Sequence, residues 1–295
     1  MKFAAVDIGS NAVRLLFCQV RVNESGLLVK KISLVRLPIR LGDDVFVNGH
    51  ISEQKISKLS KALTSFRLLS DVFDVVDYRV CATSAIREAA NGKSVIARIK
   101  EETAVEIEII DGEEEAQLIF DTQLADKLDK EKTYMYVDVG GGSTEITIFS
   151  DGEKLASKSF NIGTIRLKND IVSSSDWDGM NKWMDEVSDK YHPEIGIGTG
   201  GNINALYKLC GYDNEEICRY EKLEEISKML KKYSIKERME IFELRADRAD
   251  VITHASKIYL GAMKHFDLKE MIVPKIGVAD GIIYQLYKKQ FKKKK

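Results

Sequence analysis

Three stretches rich in glycine and small hydroxyl residues each follow a predicted strand: residues 9–11, 140–144 and 196–202. Because glycine lacks a Cβ atom, backbone N–H groups in such stretches converge on an anion, and serine and threonine hydroxyls add donors. Any one stretch alone is better explained as a tight turn. Three at strand ends favour phosphate binding, and the third also opens a predicted helix whose N-terminus attracts anions. A P-loop nucleotide triphosphatase is excluded, because the sequence has no GxxxxGK[ST] motif.

Acidic residues stand beside these stretches. Asp7 and Asp138 each lie where a predicted strand meets its turn. A carboxylate next to bound phosphate is a natural Mg²⁺ ligand, and an aspartate that organises its own turn explains either residue equally well. Glu113, Glu114 and Glu115 begin a predicted helix, where the helix dipole accounts for most acidic residues. One of the three is also a candidate general base, and composition does not choose which.

Two arginines have two competing interpretations. Arg14 follows the first glycine stretch, and Arg87 begins a predicted helix after a strand. Each either forms an ion pair at the surface, for Arg87 with Glu88 or Glu102, or contacts phosphate. The sequence alone leaves both roles open.

Composition limits the classes of protein to consider. The 295 residues include 45 Lys+Arg and 46 Asp+Glu, and 44% are hydrophobic, as in an ordinary globular chain. The balanced charge argues against a dedicated nucleic-acid binder, the apolar runs are too short for a membrane helix, and no signal peptide is visible. We therefore expect a cytoplasmic protein without a nucleic-acid or membrane partner.

Cysteine and histidine usage limits the metal chemistry. The four cysteines and four histidines are dispersed, so the sequence offers no zinc constellation. Cys18 and Cys81 lie in apolar surroundings and are expected to be buried, reduced thiols. Any metal should be a hard cation held by carboxylates and phosphate oxygens.

The elements that must position these residues alternate between strand and helix. Predicted strands cover residues 3–8, 13–20, 27–37, 77–82, 105–110, 134–139, 145–149, 153–160, 195–198 and 271–276. A predicted loop covers residues 38–51. Predicted helices begin at the N-cap Ser52 and at about 281, and cover residues 86–100, 113–128, 176–190, 202–210, 221–232, 235–243 and 247–265.

Two segments of the chain resemble each other. Val6-Asp7-Ile8-Gly9 and Val137-Asp138-Val139-Gly140 are both an apolar strand ending in aspartate, an apolar residue and glycine, and each is followed by a second apolar strand. The two segments lie about one domain length apart, which predicts an internal duplication.

Six motifs follow one another along the chain: Ala4–Asn11, Ala82–Ala89, Ile109–Ala116, Val137–Glu145, Gly198–Ile203 and Arg248–Ile252. Together they resemble the exopolyphosphatase / guanosine pentaphosphate phosphohydrolase family of the actin-like ATPase superfamily. The resemblance spans nearly the whole chain and is most specific in the first half. It implies an α/β fold of two actin-like (ribonuclease H-like) domains, with the active site in a cleft between them. We expect domains at 1–122 and 123–280, with the C-terminal helix 281–295 packed back onto the first.

The resemblance also implies roles for individual residues. Glu115 matches the family's catalytic glutamate, which activates the attacking water. Asp138 and Glu145 match the acidic residues associated with magnesium, and Asp7 is our third expected metal ligand. The expected phosphate-binding residues are Ser10, Asn11, Arg87, Gly140, Gly141, Gly142, Ser143, Thr144, Gly200 and Gly201.

The implied reaction is the Mg²⁺-dependent removal of terminal phosphate from inorganic polyphosphate, with short chains as the expected preference. The alternatives are a guanosine pentaphosphate 5′-phosphatase, another nucleotide phosphatase, a kinase-like phosphotransferase, and a sensor that binds phosphate or nucleotide without turnover. The expected partner is polyphosphate or guanosine pentaphosphate, and a homodimer is left open.

Two residues depart from the family pattern. Gln117 and Ala279 stand where the family often has arginine. The loss of two positive charges predicts a weaker grip on long polyphosphate. We also expect this chain to lack the C-terminal helical domain that extends the polyphosphate channel in longer family members.

Overall fold

Each of two units in the chain is built around one β-sheet. The computed structural model describes residues 1–23, 26–122, 128–212 and 217–292. The first unit consists of Met1–Thr122 and Val278–Lys295, and the second of Gln123–Gly277. Each unit has a hydrophobic core of its own.

The first unit contains a five-stranded mixed sheet. Its strands are β1 (Lys2–Ile8), β2 (Val13–Asn23), β3 (Gly26–Leu37), β4 (Asp77–Ala82) and β5 (Glu108–Ile109). Their order across the sheet is β3-β2-β1-β4-β5. The central strand β1 pairs antiparallel with β2 and parallel with β4. The first glycine turn follows the end of β1 and connects it to β2.

Helices cover both faces of this sheet. They are α1 (Leu41–Asn48), α2 (Glu53–Val72), α3 (Ser84–Glu88), α4 (Gly92–Thr103), α5 (Gly112–Phe120) and the C-terminal α13 (Val278–Lys292). Alternate residues of β1 face opposite sides: Ala4, Val6 and Ile8 join the core with α2. On the other side α13 packs against β1 and α5.

The second unit repeats this sheet order and adds one strand at the edge. Its strands are β6 (Thr133–Val139), β7 (Thr144–Ser150), β8 (Glu153–Phe160), β9 (Ile195–Thr199), β10 (Ile217–Arg219) and β11 (Glu270–Ile272). The order β10-β11-β9-β6-β7-β8 places β6 between an antiparallel β7 and a parallel β9, as β1 lies between β2 and β4. The predicted duplication is therefore present in the fold.

The described helices of the second unit follow its strands. They are α6 (Thr164–Lys168), α7 (Ser174–Tyr191), α8 (Gly200–Leu209), α9 (Tyr220–Leu230), α10 (Ile235–Ile241), α11 (Ala246–Ala249) and α12 (Ile252–His265). The apolar side chains of β6 and β7 pack with those of α8 and α12 in one core.

Several predicted elements were wrong in extent. The predicted loop 38–51 contains α1, whose first turn is held by hydrogen bonds to the first glycine turn rather than by local propensity. The predicted helix 86–100 is two helices, since α3 ends at Glu88 and α4 begins at Gly92. The two helices meet closely at Gly92, where a Cβ would overlap the Ile86 carbonyl. Strand 105–110 is confined to β5. Part of the predicted helix 113–128, and the end of the 281–295 helix, lie outside the described residues.

The cysteine prediction is confirmed for both residues that it singled out. Cys18 and Cys81 are buried and free of disulfide bonds. Burial raises the pKa of both thiols to about 12. They therefore act as core residues of the first sheet.

Candidate functional site

The first glycine turn is fixed by hydrogen bonds to its own unit. The Gly9 N–H donates to the Ala12 carbonyl over 3.1 Å, and the Ser10 carbonyl accepts from the Gly42 N–H over 2.9 Å. The buried Ser10 hydroxyl lies 2.8 Å from the Ser84 hydroxyl, which begins α3. The turn is thus held between the first turns of α1 and α3.

The second glycine turn repeats this geometry. The Gly140 N–H donates to the Ser143 carbonyl over 2.9 Å, and the carbonyls of Gly140 and Gly141 accept from the first N–H groups of α6. Arg166 on α6 donates from Nε to the Gly142 carbonyl over 2.7 Å. The carbonyls of this turn are therefore turned toward α6.

The amides of the second turn remain available for a ligand. Within the described residues, the N–H groups of Gly141, Gly142 and Ser143 donate to no backbone carbonyl. Successive backbone N–H groups of this kind form an anion-binding concavity. Gly163 allows the close packing behind the turn, because a Cβ there would overlap the Gly141 carbonyl. Thr144 begins β7 and is fully buried, and its hydroxyl donates to the Ile162 carbonyl.

Asp138 and Glu145 lie opposite each other on β6 and β7. Glu145 is buried and accepts a hydrogen bond from the Ser159 hydroxyl over 2.9 Å. Side chains at paired positions of an antiparallel ladder share one face of the sheet. The two predicted acidic residues are therefore brought together beside the second glycine turn.

The third glycine stretch approaches Asp138 closely. Gly200 begins α8 with φ of +86°, and a Cβ on it would lie 2.5 Å from Asp138 Oδ1. Gly200 and Gly201 thus form the first turn of α8 next to an aspartate at the end of β6. Only glycine combines this backbone conformation with the space that the carboxylate occupies.

Two residues whose roles sequence reasoning missed fasten this region. Asn202 donates from Nδ2 to the Val139 carbonyl over 2.8 Å, and Arg248 donates from Nη1 to Asn202 Oδ1. Both residues belong to quoted motifs, Gly198–Ile203 and Arg248–Ile252. The one signal in the sequence was that each of these two motifs contains a polar residue. The sequence does not show that the two side chains are in contact.

In the first unit, Glu115 and Arg87 lie together. Arg87 Nη1 is 3.2 Å from Glu115 Oε1 and donates to the Ile110 carbonyl over 2.6 Å. The Glu115 side chain is 12% exposed. Of the three acidic residues that begin α5, Glu113 is exposed and Glu114 pairs with Arg79. Glu115 is therefore the one whose carboxylate is enclosed beside a predicted phosphate-binding arginine.

Asp7 pairs with an arginine. Arg14 Nη1 lies 2.6 Å from Asp7 Oδ2, and the Asp7 side chain is buried. This contact is the ion-pair alternative for Arg14, formed inside the first unit rather than at an open surface. Asn11 lies in the same turn, where its carbonyl accepts from the Arg40 N–H over 3.1 Å.

The donor set fits a hard cation. In the described ranges, no group of three or more His, Cys, Asp or Glu residues is arranged to hold a metal. Mg²⁺ needs no such group, because it binds one or two carboxylates and completes its octahedron with water and substrate phosphate. Asp138 and Glu145 are oxygen donors next to amides suited to phosphate, and so they fit Mg²⁺.

Two buried tyrosines lie near Asp138. Burial and the negative charge of Asp138 raise the pKa of Tyr136 and of Tyr259. The Tyr136 hydroxyl lies 2.6 Å from Thr199 Oγ1. Both phenols therefore remain protonated and act as neutral hydrogen-bonding groups around the ends of β6 and β9.

The two positions without the family arginine are occupied differently. Gln117 Nε2 donates to Asp121 Oδ1 over 2.9 Å, which directs its amide along α5. Ala279 is buried in the first turn of α13. Neither residue supplies a positive charge.

Two α/β units with the same sheet order, each carrying a glycine turn after its central strand, define a protein with the actin-like two-domain fold. The chain matches the model of the Ppx/GppA phosphatase family over residues 22–290, and it belongs to that family. The crystal structure of the family member from Aquifex aeolicus is similar, with a TM-score of 0.78, 26% identity and 98% of each chain covered. The expected family and fold class are confirmed.

Three curated relatives illustrate the range of the family. The bifunctional 3-dehydroquinate synthase/phosphatase of Fusobacterium nucleatum is 28% identical over 72% of this chain and 35% of its own length. The guanosine-5′-triphosphate,3′-diphosphate pyrophosphatase of Photobacterium profundum is 22% identical over 97% of this chain and 59% of its own. Exopolyphosphatase 1 of Mycobacterium tuberculosis is 22% identical over 96% and 87%. The chain thus spans less than two thirds of the length of the first two relatives.

None of the helices in the described part of the chain combines the length and the apolar character needed to cross a bilayer.

Proposed function

We propose that this protein is a Mg²⁺-dependent phosphohydrolase that releases terminal phosphate from inorganic polyphosphate and prefers short chains. The observation that carries the proposal is the row of N–H groups at Gly141, Gly142 and Ser143, which have no backbone acceptor in the described part of the chain. Membership of the Ppx/GppA family and the similarity to an exopolyphosphatase support it.

In this proposal each residue has a distinct task. The three amides bind non-bridging oxygens of the terminal phosphate, with Thr144, Ser10, Asn11, Gly200 and Gly201 shaping the turns. Glu115 accepts the proton of the attacking water, and Arg87 holds its carboxylate in place through the 3.2 Å contact. The water oxygen bonds to phosphorus as the bridging P–O bond breaks, and the shortened chain leaves.

Asp138 and Glu145 would hold Mg²⁺, which when bound neutralises charge on the phosphoryl oxygens. Asp7 is the third proposed carboxylate, and one of its oxygens, Oδ2, pairs with Arg14 Nη1 over 2.6 Å. We propose weak binding of long polyphosphate because Gln117 and Ala279 are neutral side chains.

A second candidate is the removal of the 5′ γ-phosphate from guanosine pentaphosphate. It is favoured by the similarity to the Photobacterium profundum pyrophosphatase along 97% of this chain. The same amides and carboxylates serve either substrate, because the scissile group is a phosphoric anhydride in both.

The test measures phosphate release with Mg²⁺ from polyphosphates of several lengths, from triphosphate and from guanosine pentaphosphate. Glu115→Gln should lower kcat about 10²–10⁴-fold, because a positioned general base contributes that much. Glu113→Gln is the matched control, since it removes an exposed carboxylate from the same turn of α5. Equal turnover by Glu115→Gln and the unsubstituted protein would exclude the assignment of Glu115. Binding of triphosphate without turnover of any substrate would favour a sensor.

A further inference from the structure

The strands β6 and β9 separate at the point where the second unit carries its candidate site. Their parallel pairing ends with Asp138 opposite Thr199. Gly200 then turns the chain into α8 with φ of +86°. Val139, the next residue of β6, therefore has no β9 residue opposite it, although its backbone N–H and carbonyl still need partners.

Side chains supply those partners. The Val139 N–H donates to the Tyr259 hydroxyl over 3.3 Å, and that hydroxyl donates to the Thr199 carbonyl over 2.9 Å. The Tyr259 hydroxyl thus bridges the two strands where a ladder bond would otherwise lie. On the same residue, the Val139 carbonyl accepts from Asn202 Nδ2 over 2.8 Å.

The burial and the protonation state of Tyr259 suit its hydroxyl to this bridging position. Tyr259 is fully buried on α12 and belongs to the core of the second unit. Its phenol stays protonated, since burial and the charge of Asp138 raise its pKa. The hydroxyl can therefore accept from Val139 and donate to Thr199 at the same time. The hydroxyl thus joins the ends of β6 and β9, and each of these ends is followed directly by a glycine stretch: Val139 by Gly140, and Thr199 by Gly200.

We propose that Tyr259 is a positioning residue that sets the distance between the Gly140–Ser143 turn and the first turn of α8, and so aligns the phosphate-binding amides with Asp138. This inference rests on the proposed phosphate-binding function of the same turns. Nothing in the sequence around Tyr259 indicates it, because the residue stands in an apolar helix pattern typical of a core tyrosine.

The test compares Tyr259→Phe with Tyr134→Phe. Tyr134 is also buried, lies at the other end of β6, and uses its hydroxyl to accept from the Asp129 N–H. Both variants remove the hydroxyl of a buried tyrosine in the same unit, and thermal unfolding of each variant measures the general loss of stability. For Tyr259→Phe we expect about a 10-fold rise in KM for triphosphate and a lower kcat, since the variant loses both hydrogen bonds of the hydroxyl and each contributes roughly a 2- to 10-fold factor. Tyr134→Phe should change KM by less than about 2-fold, because its hydroxyl lies at the opposite end of β6 from the glycine turn.

Two readouts do not depend on turnover. Calorimetry with triphosphate in the absence of Mg²⁺, where no turnover is expected, measures Kd. Amide hydrogen exchange follows Val139 and Gly140, whose N–H groups donate to the Tyr259 hydroxyl and to the Ser143 carbonyl. Tyr259→Phe should raise Kd about 10-fold and accelerate exchange at these amides about 10-fold. Tyr134→Phe should change neither the Kd nor the exchange rates. Should Tyr259→Phe not fold, Asn202→Ala removes the other bond to Val139 and should give the same pattern.

The outcomes separate this inference from the proposed function. Unchanged exchange and Kd in Tyr259→Phe, or equal changes in both tyrosine variants, would overturn the positioning role. Absence of turnover in the unsubstituted protein would instead contradict the hydrolase proposal, while the exchange and Kd comparison would still decide the role of Tyr259.

Discussion

Gly200 shows how a single missing Cβ shapes the candidate site. Its φ of +86° and the 2.5 Å between an ideal Cβ and Asp138 Oδ1 make two separate demands on the residue. Gly200→Ala should therefore displace the Asp138 carboxylate as well as strain the backbone by ~1–2 kcal/mol. Since a misplacement of about 1 Å can cost roughly 100-fold, we expect a loss of that order in kcat/KM, measured by phosphate release.

Gly211→Ala is the matched control. Gly211 has φ of +81°, and nothing lies within 4 Å of its ideal Cβ. Thermal unfolding should show a similar backbone penalty in both variants, and only Gly200→Ala should lose activity. Equal activity in the two alanine variants would mean that the Asp138 carboxylate moves aside without consequence.

The thiols of Cys18 and Cys81 give a prediction about pH. Burial raises both pKa values to about 12, above the ordinary value of 9.0. Between these values the unfolded chain releases thiol protons that the folded chain keeps, so the free energy of unfolding should fall as pH rises from about 9 toward 12. Native protein at pH 9 should resist alkylation at both cysteines, and denatured protein should be labelled, as peptide mass spectrometry can show. Labelling of the native protein at the denatured rate would contradict this.

At the scale of elements, the crossing of α5 and α13 depends on Gly281. A Cβ there would overlap the Leu118 carbonyl of α5, which is backbone and cannot rotate away. Gly281→Ala should push the helices apart, lower the free energy of unfolding by about 1–3 kcal/mol, and reduce kcat because α5 carries Glu115. Chemical denaturation and phosphate release measure the two effects.

Gly261→Ala is the control for helix propensity. Gly261 lies inside α12 and is exposed, with nothing within 4 Å of its ideal Cβ. Alanine should there raise stability by roughly 0.5–1 kcal/mol. The prediction for Gly281 fails if its variant is stabilised like that of Gly261.

The strand β1, the helix α1 and the contact between Arg87 on α3 and Glu115 on α5 differ in how far the sequence predicts them. The pattern of β1 predicts both the strand and the place of Asp7, because buried residues and a following turn are local signals. The helix α1 was missed because it forms against the first glycine turn, through contacts that only the folded unit provides. Motifs identify Glu115 among three glutamates by resemblance, but the contact with Arg87 joins residues from separate helices and required the structure.

At the scale of the whole molecule, the chain returns to its first unit at the end. The first unit contains Val278–Lys295, and the second is the continuous segment Gln123–Gly277. In α13, Ile282, Ile283 and Leu286 are buried. Their burial contributes roughly 5–9 kcal/mol in total, which is comparable to the whole stability of a small domain.

This topology predicts different behaviour for the two units. Residues 123–277 expressed alone should fold cooperatively, because one core lies entirely within that segment. Residues 1–122 alone should not fold, since β1 and α5 lose the helix that packs against them. Joining residues 278–295 to residues 1–122 through a short flexible linker should restore a cooperative transition, measured by circular dichroism and urea denaturation. A cooperative transition of residues 1–122 alone would show that α13 only covers a sheet that is already stable, and that the helix is not needed to stabilise the first unit.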